Sequence, residues 1–182
     1  VLEISNIDAG LRPLHRRHVR LQELVKSLAS MARARVLGQG NTLDVVADPH
    51  LPESHPLDRE LLSTALVQLI DNANKFTTSG LIELRVTSDS DSTTITVRDE
   101  GTGIPAELVG KIQGAFAQAE MGATRSHDGL GIGLAITTRI LRSMDGGLAL
   151  ESEEGKGTAV HSSTLGTAIY RAKGWRRTWL RQ

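Results

Sequence analysis

The sequence contains no cysteine, which excludes disulfides and thiolate metal sites and fits a reducing compartment. Aromatic residues make up only 3% of its 182 positions, so its core must be aliphatic. Net charge is also absent. The 21 Lys and Arg balance 21 Asp and Glu, and nothing at whole-chain level draws the protein to nucleic acid or an anionic membrane. No apolar run approaches the ~20 residues of a membrane-spanning helix, and no signal peptide opens the chain. A Walker-type Gly-x-x-x-x-Gly-Lys-Ser/Thr loop is missing, because the stretch around Lys156 lacks the first glycine. The length suits one domain whose core needs no staple. Val1 falls inside a helical pattern, so the expectation is a segment of a longer protein.

What is present is a regular succession of elements. Val1 to Ala9 reads as the last turns of a helix stopped at Gly10. Leu21, Leu24, Val25, Leu28 and Met31 recur at helical spacing and predict a helix from about Arg20 to Leu37, with Gly38 ending it. Thr42 to Asp48 alternates as a strand does, and a helix is expected from Leu57, after Pro56, to Phe76. Leu81 to Thr87 and Thr93 to Arg98 predict an antiparallel hairpin. Ile104 to Asp128 reads as irregular, Ala135 to Met144 as helix, and Gly147 to Glu151 with Thr158 to Leu165 as a last strand pair. Helices layered on one mixed sheet follow, an α/β sandwich. Gly166 to Gln182 differs in kind. It carries Arg171, Lys173, Arg176, Arg177 and Arg181 beside Trp175 and Trp179, without an acidic residue. That is a basic tail or linker, or a stretch able to dock on a partner or membrane surface.

Three segments carry chemistry. On the helix ending at Phe76, Leu62, Ala65, Leu66, Leu69 and Ala73 form one apolar stripe at 100° per residue. Gln68, Asn72 and Lys75 share an edge beside it, whereas Asp71 and Asn74 point elsewhere. Magnesium takes hard oxygen ligands and keeps several waters, so the Asn72 amide oxygen plus nucleotide phosphates would suffice, with Lys75 against phosphate. Alone, this edge reads equally as a solvated polar face. Asp99 closes a strand, where its carboxylate can accept a hydrogen bond from an exocyclic amine such as that of adenine. Gly101 and Gly103 let the backbone approach a flat ligand, although an Asp-x-Gly turn after a strand is common. Gly129, Gly131 and Gly133 precede a helix, whose free N–H groups and dipole suit a triphosphate. A dinucleotide-binding alternative fails because Gly122 to Asp128 is polar loop rather than a buried strand. The three segments together point to ATP with Mg2+.

In order and spacing the chain resembles the ATP-binding catalytic domain of sensor histidine kinases, within the superfamily shared by DNA gyrase B, Hsp90 and MutL. Asn72-Ala-Asn-Lys75-Phe76-Thr77 resembles the family's N box, and Asp99-x-Gly101-x-Gly103-Ile104-Pro105 its G1 box. Phe116-Ala-Gln118 resembles the F box. Thr124-Arg125 with Gly129-Leu130-Gly131-Ile132-Gly133-Leu134 resembles the G2 box, and Gly155-Lys-Gly157-Thr158 the closing turn. The resemblance implies a Bergerat fold, a two-layer α/β sandwich whose mixed, mostly antiparallel sheet has helices on one face. It implies ATP binding by Asn72, Lys75, Phe76, Asp99, Gly101, Gly103, Ile104, Arg125, Gly129 to Leu134 and Thr158, with Mg2+ on Asn72 and a lid over about 104–128. Residues 1–10 would end a dimerisation helix, 11–165 would form the catalytic domain, and 166–182 the basic tail.

The same resemblance implies a cytoplasmic domain whose parent can be anchored in the inner membrane. Expected partners are its own dimerisation and histidine hairpin, a response-regulator receiver domain, and a second copy in the parent dimer. None of His15, His18, His50, His55, His127 and His161 stands in the family's phosphoacceptor setting, and they read as surface histidines. The expected activity is transfer of the ATP γ-phosphoryl group to a histidine on that hairpin. Two alternatives are a non-catalytic nucleotide-binding module and an ATPase of the gyrase kind. Gln68 stands where the ATPase branch holds its water-activating glutamate, and an amide is no general base. Further departures are Gln113 for the first F-box phenylalanine, Leu130 within G2, and an ending after Thr158 that lacks the usual Leu-Pro.

Overall fold

The computed structural model describes residues 13–36, 40–88, 92–112 and 132–164. The first helix, α1 (Leu21–Val36), buries Leu21, Leu24, Leu28, Ala32 and Val36 along one stripe. Strand β2 (Thr42–Ala47) follows. The central helix α2 (Arg59–Phe76) starts where Asp58, in extended backbone, accepts the Leu61 amide on its side chain. That bond satisfies one of the amides a helix start leaves without a partner. Two strands come next, β4 (Leu81–Ser88) and β5 (Thr93–Asp99). Beyond residues 106–112, which are helical, lie α3 (Ile132–Ser143), β6 (Gly147–Glu153) and β7 (Gly157–Thr164).

The five-stranded sheet runs β2-β4-β5-β7-β6, parallel only between β2 and β4. Strand alternation sends Ile82, Leu84, Val86, Ile95, Val97, Leu150 and Val160 into one aliphatic core with the stripes of α1 and α2. Glu83, Arg85, Thr96 and Arg98 take the other face. Helix α3 is tied to α2 by the Thr137 hydroxyl, which donates to the carbonyls of Ala65 at 3.2 Å and Gly133 at 2.9 Å. The mixed α/β sandwich expected from the sequence is therefore the fold.

Several boundaries differ from the reading above. Strand β1 (Arg17–Arg20) pairs antiparallel with β3 (Ser54–Leu57) in a separate two-stranded sheet. Leu57 thus ends a strand instead of opening a helix, consistent with the bias of a residue before proline, here His55, to extended backbone. Residues 106–112 are helical within a stretch expected to be irregular, and the Pro105 carbonyl accepts the amides of Leu108 and Val109 at 2.9 and 3.0 Å. Not every histidine lies at the surface. His55 is buried because β3 alternates it inward with Leu57, and His161 is half-buried with Nδ1 3.0 Å from Thr96 Oγ1. The expected helix at 1–9, the Gly38 stop, the Phe116–Gln118 motif and the tail lie outside the described residues. No described helix is long and apolar enough to cross a membrane.

Candidate functional site

Of the polar edge of α2, Asn72 alone lines a hollow of about 460 Å³ between that helix, the sheet and the loop after β5. Leu69, Asn72, Ala73 and Phe76 come from α2, Val97, Asp99, Leu150, Thr158 and Val160 from the sheet, and Gly103 and Ile104 from the loop. Leu108 and Ile112 close one side and Leu134 of α3 another. The hollow is thus an apolar slot with one carboxylate, one amide and the hydroxyls of Thr102 and Thr158, a composition suited to a flat heterocycle bearing a polar edge.

Asp99 sits at the inner end of β5 with 7% of its surface exposed. Its Oδ1 accepts the Gly101 amide at 2.9 Å. Burial pushes its pKa above the usual carboxylate value, although the backbone N–H groups of Gly101 and Thr158 and the charge of Arg98 act in the opposite direction. Two glycines make this corner possible. A Cβ on Gly101 would lie 2.3 Å from the Phe76 carbonyl oxygen, and one on Gly103 only 2.0 Å from that of Glu153. Gly103 also adopts a φ of +65°, which side-chain-bearing residues seldom accept. The loop is stitched to both neighbours: the Thr102 amide donates to the Phe76 carbonyl at 3.2 Å, and the Gly155 amide to the Thr102 carbonyl at 2.8 Å.

Asn72 stands at the rim, and its amide makes no hydrogen bond to any described residue. Asp71 and Asn74 do point elsewhere. Arg35 Nη1 donates to Asp71 Oδ1 at 2.8 Å, and Asn41 Nδ2 to Asn74 Oδ1 at 2.9 Å. Asn41 also donates to the Thr77 carbonyl at 3.0 Å and accepts the Gly80 amide at 3.1 Å, closing the chain just past the helix end that carries Phe76. Lys75 does not line the hollow; its Nζ lies 5.2 Å from the centre of the Phe76 ring. Phe76, 53% exposed, is one of the lining residues.

Helix α3 begins at Ile132, inside the glycine cluster instead of after it. Gly133 explains the fit: a Cβ there would lie 3.0 Å from Gln68 Oε1 and 3.6 Å from Asn72 Nδ2. The N-terminus of α3 is thus brought against the polar edge of α2, while Gln68 itself stays out of the hollow. Of the residues expected to bind nucleotide, Arg125, Gly129, Leu130 and Gly131 lie outside the described residues, as does Gln113. Asn72, Phe76, Asp99, Gly103, Ile104, Leu134 and Thr158 line this hollow, whereas Lys75, Gly101 and Gly133 do not, and Ile132 opens α3. The sequence reading passed over Ser152, whose hydroxyl accepts the Ile104 amide at 2.9 Å. It also passed over the apolar walls Leu150, Val160 and Ile112. An isolated serine on a strand bears no local signal, and apolar walls look like any core.

Residues 57–167 match the family described as histidine kinase-, DNA gyrase B-, and HSP90-like ATPase. The sensor histidine kinase RcsC of Escherichia coli (strain K12) is 32% identical over 158 residues, which span 87% of this chain and 17% of RcsC. The sensory/regulatory protein RpfC of Xanthomonas campestris pv. campestris is 34% identical over 168 residues, covering 87% of this chain and 23% of RpfC. The chain therefore spans less than a quarter of either relative. Among solved structures, the nucleotide-free catalytic domain of histidine kinase ThkA superposes with a TM-score of 0.67 at 20% identity, over 84% of this chain and 97% of that one. Full-length ShkA in complex with AMPPNP gives 0.70 at 24% identity, over 90% of this chain and 35% of that one.

Proposed function

Because the chain belongs to the histidine kinase-, DNA gyrase B-, and HSP90-like ATPase family, we propose that it is the ATP-binding catalytic domain of a sensor histidine kinase. It transfers the γ-phosphoryl group of ATP to a histidine supplied by a dimerisation hairpin, from which a response-regulator receiver domain takes it. The observation that carries this reading is the single hollow shared by Asn72, Phe76, Asp99 and Thr158. Asp99 accepts the adenine amino group in the apolar slot. The N-terminus of α3 offers backbone N–H groups and a positive dipole end to the phosphates. Lys75 turns from the Phe76 ring toward them, and Arg125 and Gly129 to Gly131 are the further phosphate-binding residues that the resemblance implies.

Among the described residues no cluster of His, Asp and Glu could hold a metal ion unaided. The Asn72 amide, at the rim and without a hydrogen bond to a described residue, fits the one oxygen that Mg2+ needs beside phosphates and waters. Mg2+ supplies charge neutralisation when bound; the chain's own residues orient the nucleotide. Phosphoryl transfer asks for positioning and charge neutralisation more than for covalent participation by the protein. In the full parent, residues 1–10 would lead in from the hairpin of a homodimer, 11–165 would form the catalytic domain and 166–182 a basic tail.

Calorimetry with Mg2+ and a non-hydrolysable ATP analogue tests the reading on wild type, Asn72→Ala and Asp99→Ala. Wild type is expected to bind and both variants to bind at least tenfold more weakly. Equal affinities in all three would remove the site from consideration.

A further inference from the structure

Ser152 on β6 stands across from Thr158 on β7, which in turn pairs with Asp99 on β5. Asp99 and Thr158 both line the hollow. Ser152 Oγ has three polar neighbours. The Ile104 amide donates to it at 2.9 Å, the Gly157 carbonyl oxygen lies 2.9 Å away, and Thr158 Oγ1 lies 2.8 Å away. A carbonyl oxygen only accepts, so the single serine proton goes to Gly157. In the contact between the two hydroxyls, Thr158 must therefore be the donor. Ser152 is then saturated, with one bond donated and two accepted. Thr158 has spent its only proton and shows the hollow nothing but lone pairs. Next to it lies a carboxylate, also an acceptor when ionised.

We propose that Ser152 is a positioning residue for nucleobase specificity: by capturing the Thr158 proton it makes the inner wall acceptor-only, which admits a 6-amino purine and rejects a 6-oxo purine. The inference rests on the nucleotide reading above. A 6-amino group brings two N–H donors to this wall, whereas a 6-oxo group sets lone pairs against lone pairs. Without the serine hydroxyl, Thr158 is free to rotate and donate to O6, while the N1–H of the oxo-purine meets Asp99. Selection against the 6-oxo base then fades, even though no residue touching the base has changed.

The test is calorimetry with Mg2+ and either ADP or inosine diphosphate. It is run on wild type, Ser152→Ala, Ser152→Thr, Thr158→Val and the Ser152→Ala/Thr158→Val double variant. Wild type should prefer ADP. Ser152→Ala and Thr158→Val should each narrow the preference by roughly five- to tenfold, the worth of about one hydrogen bond. Ser152→Thr, which keeps a hydroxyl, should preserve it. Ser152→Ala should have no further effect in the Thr158→Val background, because both act through one proton. A parallel loss of affinity for both nucleotides with the ratio intact makes Ser152 a mere brace and overturns the inference. So does a further narrowing by Ser152→Ala in the Thr158→Val background. Should Ser152→Ala fail to fold, Thr158→Val alone decides, since an unchanged ratio there defeats the proposal. Wild type binding neither nucleotide sinks the nucleotide reading itself, whereas ADP binding with an indifferent ratio sinks only the role of Ser152.

Discussion

Asp99 shows how a buried carboxyl group is kept at a cost to the fold. Burial raises its pKa above the usual value of 3.8, so the folded protein favours the neutral acid more than the unfolded chain does. A raised pKa contributes stability that is fully present below the unfolded value and is lost as pH rises through the folded one. At neutral pH the ionised carboxylate therefore weighs against folding. Asp99→Asn keeps an oxygen for the Gly101 amide and removes the charge. It is expected to be more stable than wild type in urea denaturation at pH 7, and to lose that advantage as pH falls toward 3.8 and below. Binding should move the other way. In the proposed role the ionised group accepts the adenine amine in a hydrogen bond worth about 1.5–3 kcal/mol, so Asp99→Ala should weaken ATP ten- to a hundredfold. Acidification should weaken wild type, by protonating Asp99, more than it weakens Asp99→Asn. Titrations at several pH values check this, and equal pH profiles for the two proteins would clear Asp99 of the acceptor role.

At the scale of the element, the start of α2 decides where the polar edge falls. Asp58, buried at 2% exposure, caps the helix with Oδ1 on the Leu61 amide at 3.1 Å and holds the His15 amide with Oδ2 at 3.0 Å. Asp58→Ala removes the cap, about 1 kcal/mol, and strands a second amide, about 1 kcal/mol more. Loss of roughly 2 kcal/mol should lower the urea midpoint with an unchanged slope. Asp58→Asn, which keeps one acceptor oxygen, should lose about half as much. This cap was hidden in the sequence because Pro56 and Leu57 looked like a helix start, although tertiary pairing with Arg17 and His18 had claimed them for β3. Strand β1 left no trace for the same reason. Only Val19 among its four residues is apolar, so period-two alternation had nothing to mark. By contrast α2 itself, the hairpin of β4 and β5 and the β6–β7 pair were legible, since each carries its own apolar period. The glycines were legible as exceptional, but their reasons were not. That Gly103 yields to the Glu153 carbonyl and Gly133 to Gln68 depends on neighbours fifty and sixty-five positions away in the chain.

At the scale of the whole molecule, one slot gathers Asp99 and Thr158 of the sheet, the Asn72 amide of α2 and Leu134 of α3. Gln68 lies beside Gly133 and outside the hollow, and its amide cannot take a proton from water. The role proposed for this site is to hold ATP without hydrolysing it. Occupancy alone should stabilise it, because a ligand that binds only the native state raises stability by mass action, about 2.7 kcal/mol at a hundred times Kd. A thermal melt with Mg2+ and the ATP analogue should show that rise in wild type and at most about half of it in Asn72→Ala, whose affinity is at least tenfold lower. Chemistry then requires a second component. Incubated with Mg2+ and γ-labelled ATP, the chain alone should release almost no phosphate and carry no phosphohistidine, since none of its histidines stands in a phosphoacceptor setting. Adding a dimerisation hairpin that bears such a histidine should label the hairpin, and Asp99→Ala should cut the labelling about five- to fiftyfold at ATP concentrations near the wild-type Kd, as its ten- to hundredfold weaker binding requires. Labelling of the hairpin separates a kinase from a module that only binds nucleotide. Rapid phosphate release without the hairpin would instead mean that some group of this chain activates water, and the division of labour between holding ATP here and attacking it from elsewhere would be wrong.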